Sequence, residues 1–131
     1  MLNRDLAATR YSPLTQINTK NVGKLSRAWI YKIGRLRNAG SVTGGSEVVP
    51  IVVSGAMYLT TADAVVALEP ETGRELWRFE GKPNPPSRRG VAYWPGDRNN
   101  PPRIIFTAGT KMIGLNAKTG KIDPGFGREG E

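Results

Sequence analysis

Ala67-Leu-Glu-Pro-Glu-Thr-Gly-Arg-Glu-Leu-Trp77 is the stretch from which the fold is read. A short apolar strand ends at Glu69, Thr72-Gly73 turns the chain, and a second strand carries Trp77 near its end. The preceding residues extend this pattern. Val48-Val-Pro-Ile-Val-Val53, Ala56-Met-Tyr-Leu-Thr-Thr61 and Ala64-Val-Val-Ala-Leu-Glu69 are short and apolar, separated by Ser54-Gly55 and Ala62-Asp63. With Arg74-Glu-Leu-Trp-Arg-Phe79 they predict a four-stranded meander with short turns.

The unit recurs. Residues 58–79 align with 105–126 without a gap at an offset of 47, so Thr60 meets Thr107, Leu68 meets Leu115, Thr72-Gly73 meets Thr119-Gly120 and Phe79 meets Phe126. Pro124 stands opposite Trp77, and an earlier partial copy ends at Trp29. This period, with four strands per unit, is the mark of a β-propeller blade. A blade cannot bury both faces alone. Trp77 and Trp29 are therefore expected to pack across to a neighbouring blade, and Gly73 to supply a positive φ in the turn.

Outward from the repeat, residues 1–25 read as irregular, with one short helical turn capped by Thr19 that sets Val22 and Leu25 on one side. Residues 27–33 read as a strand with Trp29, Tyr31 and Ile33 on one face. Residues 34–46 read as loop. Residues 81–102 hold six of the ten prolines and form the longest irregular stretch. Within it, the last five residues of Arg88-Arg-Gly-Val-Ala-Tyr-Trp94 read as a strand. Arg103-Ile-Ile-Phe-Thr-Ala108 and Lys111-Met-Ile-Gly-Leu-Asn116 read as a strand pair.

Composition narrows the chemistry. The 131 residues contain no Cys and no His. That excludes disulfides, thiol catalysis, Cys- or His-ligated metals and a Ser/His/Asp triad within this chain. The net charge of +8 is uneven: residues 1–40 carry +7, residues 41–80 carry −4 and residues 81–131 carry +5. The bases are scattered singly rather than interleaved with aromatics in a stripe, so a solvated basic surface is the reading and no nucleic-acid partner is expected. No apolar run is long enough to cross a bilayer as a helix. The N-terminus lacks a leader pattern, which is expected of a cytosolic chain or of one without its leader.

At Ala67–Trp77 the sequence resembles the tryptophan-docking motif of the quinoprotein alcohol and glucose dehydrogenases, with Glu69 where the motif usually has Asp. Three further stretches agree in order. They are Asp5-Leu-Ala-Ala-Thr-Arg-Tyr-Ser-Pro-Leu-Thr-Gln-Ile-Asn18 with Ala28-Trp29, Glu47-Val-Val-Pro-Ile-Val-Val-Ser-Gly-Ala-Met-Tyr58, and Arg89-Gly-Val-Ala-Tyr-Trp94. The resemblance covers nearly the whole chain and is nearest to the glucose-dehydrogenase-like branch. It implies an all-β fold: a partial β-propeller of about two four-stranded blades out of an eight-bladed quinoprotein ring. The expected organisation is an approach segment and strand of the closing blade in 1–33, a first full blade in 47–80 and an incomplete second blade in 89–126. The chain is then the N-terminal part of a longer protein, and two blades with open edges are expected to be poorly folded alone.

The same resemblance implies pyrroloquinoline quinone and calcium as cofactors and oxidation of a sugar, polyol or alcohol in the periplasm. Electrons would pass to a quinone or cytochrome, and any membrane association would lie in parts outside this chain. Glu47 would hydrogen-bond the quinone from the mouth of the propeller; on composition alone it is a solvated carboxylate at a strand edge. Arg89 would contact the quinone oxygens, where a planar guanidinium suits paired oxygens, and otherwise it is a surface cation beside Arg88. Gly90 would permit close backbone approach. Alcohol-oxidising members carry adjacent cysteines before this arginine. Asn84-Pro-Pro-Ser87 stands there instead, which tilts the expectation towards sugars and polyols. Calcium ligands and the catalytic base are expected outside this chain, and Asp63, Asp97 and Asp123 read as turn residues. Trp94 reads either way from sequence, with core packing as the default. The competing reading is a non-catalytic periplasmic propeller scaffold that binds protein partners at its blade edges.

Overall fold

The computed structural model describes residues 14–33 and 48–131. Glu47, residues 34–46 with their predicted loop, and the first thirteen residues lie outside the described residues. The predicted meander forms a four-stranded antiparallel sheet of β1 (Ile51–Val53), β2 (Ala56–Thr60), β3 (Ala64–Leu68) and β4 (Glu75–Glu80), in that order. A second sheet contains β5 (Ala92–Trp94), β6 (Arg103–Ala108) and β7 (Lys111–Asn116). The architecture is all-β, as expected.

Offset pairing makes the repeat physical. Ile51 pairs with Tyr58 in the first sheet, and Ala92 pairs with Ile105 in the second. The first strands are joined to the next by Ser54-Gly55 in one unit and by residues 95–102 in the other. The longer connection is closed by Asp97, whose carboxylate accepts the backbone N–H of Asn99 and Asn100. Among the described residues no fourth strand forms in the second sheet. Where β4 has its counterpart, Leu115 bridges to Ile122 and the chain then turns. Pro124 there lacks a ladder donor, which accounts for the break.

The two sheets pack face to face. β3 is buried along its whole length, and its Val65 and Ala67 join Ala56 and Tyr58 against Ile104, Phe106, Ala108, Leu115 and Ala117. A strand buried on both faces needs a continuous apolar run instead of alternation, and Ala64-Val-Val-Ala-Leu68 is such a run. Phe79 meets Phe106 edge-on at 5.9 Å between ring centres. The opposite face of the first sheet, with Leu59, Ala64, Val66 and Leu68, is covered by Trp29, Tyr31 and Ile33.

Two local expectations change. Residues 27–33 set Trp29, Tyr31 and Ile33 on one face, but they form no ladder among the described residues. Side-chain packing holds this segment, with Ala62 N–H donating to the Ile33 carbonyl at 3.1 Å. The short helical turn is a 3-10 turn at Val22–Lys24 preceded by Asn21, not Thr19. Asn18 and Asn21 instead exchange local hydrogen bonds, the Asn21 side chain accepting the Asn18 N–H at 2.8 Å, and Val22 and Leu25 are exposed.

Thr60 is fully buried, and its hydroxyl has no hydrogen-bond partner among the described residues. An unpaired buried hydroxyl costs free energy that a methyl group does not. Thr60→Val is therefore expected to stabilise the protein by about 1 kcal/mol in urea denaturation. A loss of stability would mean that the hydroxyl has a partner.

Candidate functional site

Each Thr-Gly turn is a seat for an indole. Gly73 (φ +72°) and Gly120 (φ +68°) adopt the left-handed region open to glycine. A Cβ on Gly73 would lie 2.5 Å from the Trp29 ring, and one on Gly120 would lie 2.5 Å from the Trp77 ring. The Trp29 indole N–H donates to the Pro70 carbonyl at 3.0 Å, and that of Trp77 donates to the Ala117 carbonyl at 2.9 Å. Pro70 and Ala117, like Gly73 and Gly120, occupy matching repeat positions. Glu69 braces the first turn through the Thr72 hydroxyl and Arg74, and its carboxyl is held below the usual range by them. At the matching position of the second turn, the Asn116 side chain accepts the N–H groups of Lys118 and Thr119.

These contacts bring the edge strands β1 and β5 to opposite walls of one cleft of about 770 Å³. Val49, Pro50, Ile51 and Val53 line it from one side, and Arg89, Val91 and Tyr93 from the other. Gly90 (φ +94°) is where the walls approach: a Cβ there would lie 3.2 Å from the Val49 carbonyl oxygen. The approach that Gly90 permits in the structure is thus to the Val49 backbone. Arg89 is exposed and contributes the charged group among the lining residues. Glu47 is outside the described residues, and Val49, two positions on, lines the cleft.

An aromatic stack supports the cleft. Tyr93 stacks on Tyr58 at 6.4 Å, and Tyr58 tilts against Trp77 at 5.8 Å. The Tyr58 hydroxyl donates to the Ala117 carbonyl at 3.2 Å, and burial, with Tyr93 nearby, pushes its ionisation upwards. On the far side of the first sheet, burial and a hydrogen bond to Glu75 push Tyr31 up to about 12. Both phenols are neutral at physiological pH, so they pack and donate.

The loop that carries Arg89 is fastened to the second sheet. Pro86 is buried and bridges to Ala108, and Ser87 N–H donates to the Thr107 carbonyl at 2.8 Å. The Ser87 hydroxyl accepts the Arg89 N–H at 3.3 Å. Ser87 and Tyr93 were not singled out from sequence. The alternation of Val91 and Tyr93 on one strand face was the available signal for the latter.

Asp123 is not a simple turn residue. It is 8% exposed and accepts from Arg103 Nε at 2.6 Å, and Arg103 itself is 8% exposed. The guanidinium lies 4.8 Å from the Trp94 ring centre and 6.0 Å from that of Phe126, and it donates to Asn100 at 3.0 Å. Trp94 therefore packs on a buried cation rather than in an apolar core. In the repeat alignment Arg103 stands opposite Ala56, a charge in place of a methyl, which was the readable clue. Among the described residues no group of three or more His, Cys, Asp or Glu could hold a metal ion.

The cleft's donor set suits a flat, anionic ligand: apolar walls for ring faces and a guanidinium for paired oxygens. The family model described as glucose/ethanol/alcohol dehydrogenase, beta-propeller domain (PQQ), matches residues 1–131. The chain is 40% identical over 130 residues to the dehydrogenase subunit of the quinone alcohol dehydrogenase of Gluconobacter oxydans, covering 91% of this chain and 16% of that protein. It is 33% identical over 157 residues to quinoprotein glucose dehydrogenase A of Acinetobacter calcoaceticus, covering 98% and 19% respectively. The crystal structure of quinohemoprotein alcohol dehydrogenase from Comamonas testosteroni matches with a TM-score of 0.69 and 32% identity, over 92% of this chain and 18% of that one. The chain thus spans less than a fifth of the length of each of these relatives.

Proposed function

Because this chain belongs to the family of pyrroloquinoline quinone-dependent glucose, ethanol and alcohol dehydrogenase β-propellers, we propose that it forms the N-terminal blades of such an enzyme. The complete protein oxidises a sugar, polyol or alcohol hydroxyl and hands the electrons to a quinone or a cytochrome. Glucose-type and alcohol-type enzymes both stand among its relatives, which supports the substrate class without ranking its members. A periplasmic location and a calcium ion held by residues outside this chain complete the proposal.

The observation that carries this reading is the placement of Arg89 on an apolar cleft between two edge strands. When bound, the quinone supplies the two-electron chemistry. The residues of this chain bind and orient it. Val49, Ile51, Val91 and Tyr93 offer apolar wall to its ring faces and exclude water. The Arg89 guanidinium presents a planar fork of N–H donors on a cation, so it donates to quinone oxygens and favours added negative charge. Glu47, at the start of the segment that leads to Val49, is proposed to accept a hydrogen bond from the cofactor. Trp29 and Trp77 act on the ring of blades and not on the substrate.

The test is a titration of the complete, cofactor-free enzyme with pyrroloquinoline quinone. Arg89→Ala is expected to weaken binding by at least tenfold, in line with about 1.5–3 kcal/mol for hydrogen bonds to a charged group. Arg89→Lys should recover only part of the loss, since an ammonium does not reproduce the planar fork. Unchanged affinity in Arg89→Ala would refute the assignment.

A further inference from the structure

The chain between β4 and β5 does not wander freely to Arg89. Pro86 and Ser87 lie along β6 in line with β5, through the Pro86–Ala108 bridge and the Ser87 N–H to the Thr107 carbonyl at 2.8 Å. Regular pairing resumes at Ala92 opposite Ile105. Between these two fastenings β6 spends one residue, Phe106, while the other chain spends four, from 88 to 91. The surplus is extruded as a bulge, and Arg89 sits on it. The bulge is braced at its neck, where the Ser87 hydroxyl accepts the Arg89 N–H at 3.3 Å, and on its cleft side, where Gly90 rests on the Val49 backbone.

The fastening has a seat below it. Gly109, at the turn between β6 and β7, has φ +60°, and a Cβ there would lie 3.2 Å from the Asn84 side-chain carbon Cγ. Within the segment the chain folds back on itself: a Cβ on Gly81 would lie 2.7 Å from Pro86 Cδ. The 81–87 segment is thus held against the β6–β7 turn at Asn84 and against the end of β6 at Pro86.

The geometry points to Ser87, supported by the Asn84–Gly109 contact, as a positioning residue that fixes Arg89 for the quinone. This inference rests on the cofactor role of Arg89 proposed above. Its physical basis is preorganisation. A cation on an unfastened loop loses conformational freedom when it binds, whereas a braced bulge has lost that freedom already on folding.

The experiment is a double-mutant cycle on the complete, cofactor-free enzyme, with pyrroloquinoline quinone affinity and thermal unfolding both measured. Ser87→Ala removes the acceptor for the Arg89 N–H and leaves the backbone bond to Thr107 in place. It is expected to weaken quinone binding several-fold, up to about tenfold, with little change in the unfolding temperature. Ser87→Thr keeps a hydroxyl and should bind as the parent does. Gly109→Ala should act in the same direction by displacing Asn84. In an Arg89→Ala background neither Ser87→Ala nor Gly109→Ala should weaken binding further. Full additivity there, or parent-like affinity in Ser87→Ala while Arg89→Ala binds weakly, would overturn the positioning role alone. Parent-like affinity in Arg89→Ala itself would overturn the cofactor role of Arg89, and the inference with it.

Discussion

Trp77→Ala is expected to destabilise the complete enzyme by about 3–5 kcal/mol, the range for removing a large aromatic side chain from a packed site. The indole fills the space above Gly120, meets Tyr58 at 5.8 Å and donates to the Ala117 carbonyl at 2.9 Å. The contacts with Gly120 and Ala117 join the first sheet to the second, so their loss uncouples neighbouring blades. Trp77→Phe separates the parts. It keeps most of the ring and loses the donor, while the Ala117 carbonyl still accepts from Tyr58. That variant should lose only about 0.5–1.5 kcal/mol for the hydrogen bond, beyond the smaller ring area. Gly120→Ala approaches from the other side, because its Cβ would drive the ring off its seat. Urea denaturation of the three variants checks the order. Parent-like stability in Trp77→Ala would remove the indole from any role in holding the blades.

The second large effect is expected at the Arg103–Asp123 pair. Both side chains are buried and bonded at 2.6 Å, so Arg103→Ala leaves the Asp123 carboxylate without its main partner. Breaking a buried pair from one side costs about 3–5 kcal/mol, much of it from the stranded charge. Arg103→Met combined with Asp123→Leu should be far milder than either single change to alanine, because no charge is then stranded. The hydrogen bond from Arg103 also holds the Asp123 carboxyl below the usual aspartate range. A group whose ionisation is depressed by folding contributes its stability in full above the unfolded value. That contribution fades as pH falls below the ordinary aspartate value and is gone beneath the depressed one. Asp123→Asn should therefore be less stable than the parent at neutral pH, and the gap should narrow in strong acid. A gap that stays constant down to acid unfolding would refute the linkage.

Strand existence was legible because it depends on local composition. The apolar runs of β2, β3, β6 and β7 and the glycines that need a positive φ are visible in any window of a dozen residues. The cleft proposed for the cofactor was legible only in part. Arg89 and Gly90 stood out by their resemblance to a known motif, but the bulge that presents Arg89 depends on how many residues each chain spends between two fastenings. No periodicity encodes that count. Asp123 looked like a turn residue because a turn does follow it. Its burial comes from Arg103, twenty positions away, and from the Trp94 and Phe126 rings around the guanidinium.

By itself the sequence determined the repeat: two Thr-Gly turns at an offset of 47, each requiring glycine. Gly73 and Trp77 stand four residues apart in one hairpin, and the sequence reads them as one device. Only the tertiary structure decided their partners. Trp29 takes the seat at Gly73, and Trp77 takes the seat at Gly120. The reason is directional. Trp77 lies on the sheet face turned towards β6 and β7, so its ring is spent on the next sheet's turn, and the glycine beside it receives the tryptophan from before.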